Sequence, residues 1–250
     1  MTKQKLQIII LAAGKGTRMN SELPKALLPI KGRPMISYLL RAIDESGVCD
    51  HPAIVVGYES RKVKEVLGDD YIYVHQDVQH GTGHAVECTK EMLEGNSEHV
   101  LVLYADQPFI KPETIHHILE VHEKKGSVMT MATIKVDDFS DWRAPFDHFG
   151  RVKRDEKGNV ERIVEFKDTT EEDKKIMEFS PTYFCFHAEW LWNHITRLEN
   201  KNAQEEYYLT DLLEMVIGQG HDVVTVSVDA KEALGANTLE QLRVLEGFIQ

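Results

Sequence analysis

The chain has 250 residues, with 28% charged and 42% hydrophobic residues and a formal net charge of -12 at pH 7. This length suits one α/β domain with a sizeable core, and the acidic balance argues against an extended nucleic-acid surface, which needs many cations facing phosphates. The three cysteines, Cys49, Cys88 and Cys185, are too far apart in sequence to suggest a metal cluster or paired disulfides, so reduced thiols are expected.

The first predicted element is a buried strand at residues 8–11, followed by a turn rich in glycine and positive charge. The apolar run is too short for a signal sequence or a membrane span, so we expect a soluble cytoplasmic protein with no membrane partner. The turn contains Gly14, Gly16, Lys15 and Arg18, with Lys25 shortly after it. Glycines let the main chain approach a ligand closely, and the cations favour an anion. The turn therefore indicates a polyphosphate site, although an ordinary strand-to-helix turn has the same local features.

Two common phosphate loops do not fit this turn. The Walker loop requires a glycine five residues before Gly14, where Ile9 stands. The dinucleotide fingerprint requires a third glycine where Met19 stands. The turn therefore belongs to neither class.

Strand and helix patterns alternate after the turn. Helices are predicted at 35–45, 61–67, 82–93 and 112–124, and strands at 53–57, 71–74, 100–104 and 128–136. The alternation predicts right-handed crossovers and a Rossmann-like, mostly parallel mixed sheet flanked by helices. Ligands are then expected beyond the carboxyl ends of the strands.

The sequence changes character near residue 137. A polar and aromatic stretch is followed by strand patterns at 151–154 and 160–166 around a turn, which predict an antiparallel hairpin. The remaining predictions are helices at 171–177, 189–197, 212–216 and 238–248 and strands at 182–187 and 223–228. We expect one domain over residues 1–250, with a small β-rich lobe on the substrate side at about 137–187.

Two segments carry residues suited to nucleotide chemistry. Asp106 follows the clearest buried strand pattern, at 100–104, where its carboxylate could hold a magnesium ion that bridges phosphates, or could act as a turn or capping residue. In segment 76–86, the amide of Gln76 and the backbone near Gly81 could bind the edge of a pyrimidine. A helix start capped by Thr82 would account for part of the same pattern.

The opening segment resembles a known motif. Leu11-Ala12-Ala13-Gly14-Lys15-Gly16-Thr17-Arg18-Met19, with the later Pro24-Lys25, resembles the opening motif of the sugar-nucleotidyltransferase superfamily. The chain is most similar to the N-terminal uridylyltransferase domain of the bifunctional N-acetylglucosamine-1-phosphate uridylyltransferase/glucosamine-1-phosphate acetyltransferase. The resemblance implies that the nucleotide is bound by residues Leu11 to Thr17 and by Gln76, Gly81 and Thr82. It also implies that Arg18, Lys25 and Asp106 are catalytic and that Asp106 and Asn237 bind Mg²⁺.

Further segments resemble the sugar-side motifs of that superfamily. They are Phe149-Gly150-Arg151-Val152 and residues 163–168, and the resemblance implies that Gly150, Glu165 and Ser180 bind the sugar. The chain departs from the family at Ser180-Pro181-Thr182, where the family has Asn-Thr-Gly, and in the loop 142–148. Residues 206–211, also a family match, are expected to be structural. No hexapeptide repeats are present in the sequence, so we do not expect the left-handed β-helix acetyltransferase domain of the bifunctional relatives.

The implied reaction is nucleotidyl transfer from UTP to N-acetylglucosamine 1-phosphate, which gives UDP-sugar and pyrophosphate. Lys15 and Arg18 would hold the β and γ phosphates, and Lys25 would neutralise charge between the substrates. The departures near Ser180 leave open another nucleoside triphosphate or another sugar or alcohol phosphate. A catalytically inactive nucleotide-binding regulatory module is the alternative of a different class.

Overall fold

The computed structural model describes residues 3–19, 21–202 and 204–249. Within these ranges the strands are β1 (Gln4–Leu11), β2 (Pro29–Ile30), β3 (Arg33–Pro34), β4 (Ala53–Val56), β5 (Ile72–His75), β6 (Ser97–Tyr104), β7 (Met129–Lys135), β8 (Arg151–Arg154), β9 (Val160–Val164), β10 (Glu178–Phe179), β11 (Phe184–His187) and β12 (Val224–Ser227). The helices are α1 (Met35–Ser46), α2 (Ser60–Leu67), α3 (Thr82–Glu87), α4 (Lys90–Leu93), α5 (Pro112–Lys125), α6 (Ala188–His194), α7 (Leu212–Gly218) and α8 (Leu239–Phe248). None of these helices is both long and apolar enough to cross a membrane.

The central sheet has the order β5-β4-β1-β6-β11-β7, and β12 also pairs with β7. The pairs among β5, β4, β1 and β6 are parallel, as is the β7–β12 pair. Strand β11 is antiparallel to both of its neighbours. The predicted mixed, mostly parallel α/β sheet is confirmed, but the direction of β11 was not predicted. Since the chain reaches β11 from the lobe, the crossover rule for strand-helix-strand units does not apply to it.

A second, antiparallel branch of the sheet runs through β7-β10-β8-β9. Strands β8 to β10 lie within the predicted lobe at 137–187, whereas β11, at the end of that range, belongs to the central sheet. The branch begins at the carboxyl end of β7, where Ile134 and Lys135 pair with β10. It therefore stands on the side of the sheet where ligands were expected.

The central strands are apolar on both faces because helices cover both. In β1, Ile8 and Ile10 pack in one core with residues of α1 and α5. Ile9, between them, packs in a second core with residues of α6 and α7. Successive side chains of a strand point to opposite faces, so a continuous apolar run supplies both cores.

Several predicted elements differ from the structure, three of them for a clear physical reason. The helix predicted at 82–93 is divided into α3 and α4, and the hydroxyl of Thr89 donates to the carbonyl of Val86 at the division. The helix predicted at 171–177 is only a short 3-10 turn, because the Asp173 carboxylate accepts from the N–H and hydroxyl of Thr170. The strand predicted from residue 182 begins at Phe184, since Thr182 has φ of 64° and cannot join a strand.

Candidate active site

Lys25, Asp106 and Asn237 form the centre of the candidate active site. The Lys25 ammonium group contacts the carboxylate of Asp106 and donates to Oδ1 of Asn237 at 2.6 Å. The side chains of Lys25 and Asp106 are 14% and 23% exposed, so this ion pair is partly shielded from water. The Lys25 ammonium group therefore contacts a carboxylate oxygen and an amide oxygen.

Asp106 and Asn237 are positioned by different elements. Asp106 follows β6, and its carbonyl accepts from the N–H of Ala236 at 3.2 Å, which ties the two oxygen-bearing segments together. Asn237 precedes α8, where the Thr238 side chain accepts from the N–H of Gln241 and caps the helix. The side-chain oxygen of Gln241 accepts in turn from the N–H of Asn237 at 2.6 Å.

Two cavities meet at this centre. Four residues line both of them: Thr82, Tyr104, Asp106 and Glu206. The smaller cavity, about 210 Å³, extends along the end of β1 and the loop after β5; the larger, about 560 Å³, extends toward the antiparallel branch. We call the smaller one the nucleotide cavity and the larger one the acceptor cavity. Ligands that occupied both would meet at Asp106.

The nucleotide cavity contains most of the predicted nucleotide-binding residues. Leu11 to Gly14, Gln76, Gly81 and Thr82 line it. The amide nitrogen of Gln76 donates to the carbonyl of Gly81 at 3.2 Å and lies 2.9 Å from Nδ1 of His84. The amide oxygen of Gln76 is therefore the atom left to accept a hydrogen bond from a ligand.

The loop at 79–84 is held in place by residues 206–209. The Gly83 N–H donates to the carbonyl of Tyr207 at 2.8 Å, and the Tyr207 N–H donates to the carbonyl of His80 at 2.7 Å. A Cβ atom on Gly81 would lie 2.6 Å from the Tyr207 carbonyl oxygen, so glycine is required here by packing. Residues 206–211, predicted as structural, thus also form a wall of the site, and Glu206 lines both cavities.

The phosphate turn differs in detail from the prediction. Gly16 has φ of 63°, but Gly14 is not in the left-handed region. The Lys15 ammonium lies 5.0 Å from the centroid of the Tyr58 ring, and Arg18 lines the acceptor cavity. The backbone of Thr17 starts a short 3-10 helix, and its side chain lies outside the described part of the structure. Arg18 lines the acceptor cavity and Lys15 lines neither cavity, and the role of the two cations as phosphate ligands stays a prediction.

The acceptor cavity contains the predicted Glu165. Its carboxylate accepts from the Thr210 hydroxyl at 3.0 Å, and burial raises the pKa of this carboxyl. A chain of contacts runs along the same cavity from the Lys167 ammonium to Gln204 and on to the hydroxyl of Tyr208. This chain joins the segment after β9 to the segment after α6.

The other two predicted sugar ligands lie behind the cavity wall. The Ser180 side chain is fully buried, and its hydroxyl oxygen accepts from the N–H of Thr182 at 3.0 Å. Gly150 is buried as well, and its carbonyl accepts from the N–H of Ser180. Thr182 lines the cavity in place of Ser180. Ser180 thus supports this wall from behind, and sugar binding by Ser180 and Gly150 stays a prediction.

Several cavity residues were missed by the sequence predictions. Gln79 donates to the carbonyl of Ala13 and so joins two walls of the nucleotide cavity. Tyr104 lines both cavities, and burial raises its pKa. The position of Tyr104 at the end of a buried strand was a signal that could have identified it. Gln79 lies in the predicted segment 76–86 and Thr182 in the segment 180–182, but neither residue was singled out there.

The centre suits magnesium by its chemistry. Carboxylate and amide oxygens are the ligands that Mg²⁺ prefers, and a site with few protein ligands leaves positions for phosphate oxygens and water. Within the described ranges, no group of three or more His, Cys, Asp or Glu side chains could hold a metal ion. The centre is therefore suited to an ion that arrives with phosphate, and less to a permanent structural metal.

Comparison with known proteins finds matches over most of the chain. Residues 8–212 match the family model of the MobA-like NTP transferase domain. The bifunctional protein GlmU of Geotalea daltonii is 39% identical over 241 residues, which cover 95% of this chain and 51% of that protein. The GlmU of Caldicellulosiruptor saccharolyticus is 38% identical over 245 residues, 97% of this chain and 51% of that protein. The chain therefore spans about half the length of these curated relatives.

A solved structure shows the same fold. A protein described as a glucose-1-phosphate thymidylyltransferase from Bacillus anthracis, in complex with sucrose, has a TM-score of 0.77 to this chain. The alignment covers 97% of this chain and 94% of that chain at 19% sequence identity. At this identity the likeness concerns the fold, and it supports the predicted α/β architecture.

Proposed function

Because the chain belongs to the family of MobA-like NTP transferase domains, we propose that it is a magnesium-dependent sugar-1-phosphate nucleotidyltransferase. The proposed substrates are UTP and N-acetylglucosamine 1-phosphate, and the products are UDP-N-acetylglucosamine and pyrophosphate. In this reaction an acceptor phosphate oxygen forms a bond to the α-phosphorus of UTP. The bond from that phosphorus to the oxygen bridging to the β-phosphorus breaks, and pyrophosphate leaves with the electron pair.

The arrangement of Lys25, Asp106 and Asn237 where the two cavities meet is the observation that carries this proposal. A nucleotide on one side and a sugar phosphate on the other would bring several negative charges to this point. The Lys25 ammonium can neutralise part of that charge in a partly shielded site, where electrostatic interactions are stronger than in water. Magnesium, held by Asp106 and Asn237, would supply further neutralisation of the phosphates.

The proposed reaction requires no general base on the protein. A phosphate monoester is already an anion near neutral pH, so its oxygen can attack without losing a proton. The role of the protein is then to align the two substrates and to stabilise charge. Arg18, which lines the acceptor cavity, can bind the acceptor phosphate in this scheme.

The contacts of Gln76 support uracil as the base. Since its amide nitrogen is engaged by Gly81 and His84, its amide oxygen is the atom that can accept a hydrogen bond from a ligand in the nucleotide cavity. Uracil offers a ring N–H donor at its base-pairing edge, whereas the corresponding nitrogen of cytosine is an acceptor. We therefore propose UTP as the nucleotide.

Pyrophosphate release tests this proposal. The assay contains Mg²⁺ and N-acetylglucosamine 1-phosphate, with UTP, CTP, GTP, ATP or dTTP in parallel, and is repeated with glucose 1-phosphate. Release with UTP and N-acetylglucosamine 1-phosphate, abolished by chelation of the metal, is the expected result. Release only with another pair would replace the substrates and keep the reaction class. Absence of release with every pair would favour the regulatory binding module.

A further inference from the structure

Gln107, next to the candidate metal ligand Asp106, has a buried amide oxygen without a hydrogen-bond partner among the described residues. The residue is 6% exposed and lines the acceptor cavity. Among the described residues, its Oε1 atom is one of the few buried side-chain polar atoms with no partner. An unpaired buried acceptor destabilises a protein, so such an atom calls for an explanation.

The backbone around Gln107 holds this side chain at the cavity wall. Its N–H donates to the carbonyl of Tyr104 at 3.1 Å, which fixes the turn after β6. Gly235 packs against it so closely that a Cβ there would lie 3.2 Å from Cγ of Gln107 and 2.7 Å from the carbonyl oxygen of Asp106. The segment that leads to Asn237 thus packs on the Gln107 side chain.

We propose that Gln107 is a further acceptor-binding residue, whose amide oxygen accepts a hydrogen bond from a hydroxyl group of the sugar 1-phosphate. This inference rests on the proposed function. A phosphate dianion has no proton to donate, whereas a sugar hydroxyl does, and Oε1 needs a donor. The terminal torsion of glutamine is soft, so rotation about it can present Oε1 to the cavity that the residue lines. Gln107 lines the acceptor cavity but not the nucleotide cavity, so its contribution is confined to the sugar substrate.

The test compares wild type with Gln107→Met, which keeps a similar volume and removes the amide. Calorimetry measures the binding of N-acetylglucosamine 1-phosphate and, separately, of a non-hydrolysable UTP analogue, both with Mg²⁺. We expect acceptor binding to weaken about 10-fold, the effect of one hydrogen bond in a shielded site. Nucleotide binding should stay the same, and the melting temperature should stay level or rise because a buried unpaired acceptor is removed.

The 3-, 4- and 6-deoxy analogues of the acceptor identify the hydroxyl. Wild type should bind one of these analogues about 10-fold more weakly than it binds the parent sugar. For that same analogue, the affinities of wild type and Gln107→Met should be equal. Equal affinity of the two proteins for the parent sugar would overturn the inference. A parallel loss of nucleotide and acceptor binding would also overturn it, because it would indicate a general disturbance of the site.

Ser97→Ala is the matched control. Ser97 is 2% exposed, its hydroxyl also has no partner among the described residues, and it begins the strand β6 that Gln107 follows. Its removal should leave acceptor binding unchanged. If wild type itself binds no sugar 1-phosphate, the proposed function fails and this inference with it; if wild type binds and Gln107→Met binds equally, only this inference fails.

Discussion

The two ends of strand β6 differ in what surrounds their polar side chains. At the carboxyl end, Tyr104, Asp106 and Gln107 line cavities. At the amino end, His99 packs against two other imidazoles, with ring centroids 4.8 Å from His122 and 5.9 Å from His187. Both ends include buried polar atoms without a partner among the described residues. The same apolar strand therefore supports two groups of polar residues. The group at the carboxyl end lines cavities and is the candidate ligand site.

The histidines at the amino end pack against one another. His122 is fully buried, and its Nδ1 lies 2.9 Å from the hydroxyl of Thr130. Burial, followed by the nearby His99 and His187, lowers the pKa of His122 to about 3. We therefore expect substitutions at this end to change stability, and substitutions at the other end to change turnover.

The largest effect is expected for Asp106→Asn at the carboxyl end. This change removes the charge that faces Lys25 and one candidate metal ligand, so kcat/KM should fall about 10²-fold or more. The pyrophosphate assay measures this loss, and the melting temperature should change little. Asp69→Asn, on an exposed side chain, is the control and should keep full activity. Activity of Asp106→Asn within a few-fold of wild type would contradict the metal and charge assignments.

Gly81→Ala should affect both stability and nucleotide binding. Gly81 has φ of 106°, and a Cβ would lie 2.6 Å from the Tyr207 carbonyl oxygen, so the loop and residues 206–209 would have to move apart. We expect a loss of about 1–3 kcal/mol in the free energy of unfolding and weaker binding of UTP.

Gly158→Ala separates backbone strain from packing. Gly158 also has positive φ, 85°, but apart from its two chain neighbours no atom of the described residues lies within 4 Å of the position that a Cβ would occupy. In Gly158→Ala the free energy of unfolding should fall by about 1–2 kcal/mol because of the backbone conformation alone, and the affinity for UTP should equal that of wild type. Equal UTP affinities of Gly81→Ala and wild type would contradict the role of residues 206–209 in shaping the nucleotide cavity.

The sequence was sufficient to predict the parts of the fold that depend on local pattern. The apolar run of β1 and the alternation up to β7 predicted a mostly parallel sheet, because helices covering both faces require such runs. Strand β11 could not be given a direction, since its pairing depends on how the chain returns from the lobe. The helix predicted at 171–177 failed because the side chain of Asp173 binds the backbone of Thr170 and favours a turn.

The sequence predicted those site residues that lie within recognisable motifs. Asp106 and Lys25 each lie in such a motif, and the structure brings the two side chains together. Ser180 was assigned from its position in a family motif, but Thr182, two residues later, has positive φ and lines the cavity, whereas Ser180 is buried. Gln79 and Glu206 lie far apart in sequence and enter the site only through tertiary packing.

At the amino end of β6, His122 should make stability depend on pH. The unfolded chain takes up a proton on this imidazole near pH 6.5, whereas the folded protein resists it down to about pH 3. The contribution of His122 to the free energy of unfolding is therefore fully present above pH 6.5 and is lost as the pH falls. At pH 5 the free energy of unfolding should be about 2 kcal/mol lower than above pH 6.5 because of this group. His99, His187, Glu123 and Lys5 are the neighbouring charged or titratable groups.

Denaturant unfolding at pH 7.5 and pH 5 measures this contribution. His122→Asn keeps a polar atom near Thr130 and does not titrate, so its loss of stability between the two pH values should be about 2 kcal/mol smaller than that of wild type. His117→Asn, on the exposed face of α5, should behave as wild type. An unchanged pH dependence in His122→Asn would show that His122 is not the group responsible.

The smallest effect is expected at Thr182, where strain and the cavity coincide. A β-branched residue at φ of 64° is strained, and Thr182→Gly should relieve this strain and raise the free energy of unfolding by about 1 kcal/mol. Glu59→Gly, at φ of 52° on an exposed residue, should give a similar gain. Only Thr182→Gly should also change KM for the sugar 1-phosphate, because only Thr182 lines the acceptor cavity. If both variants gain stability and neither changes that KM, the strained threonine does not contact the acceptor. The carboxyl end of β6 would then differ from the amino end in function only through the residues that follow the strand.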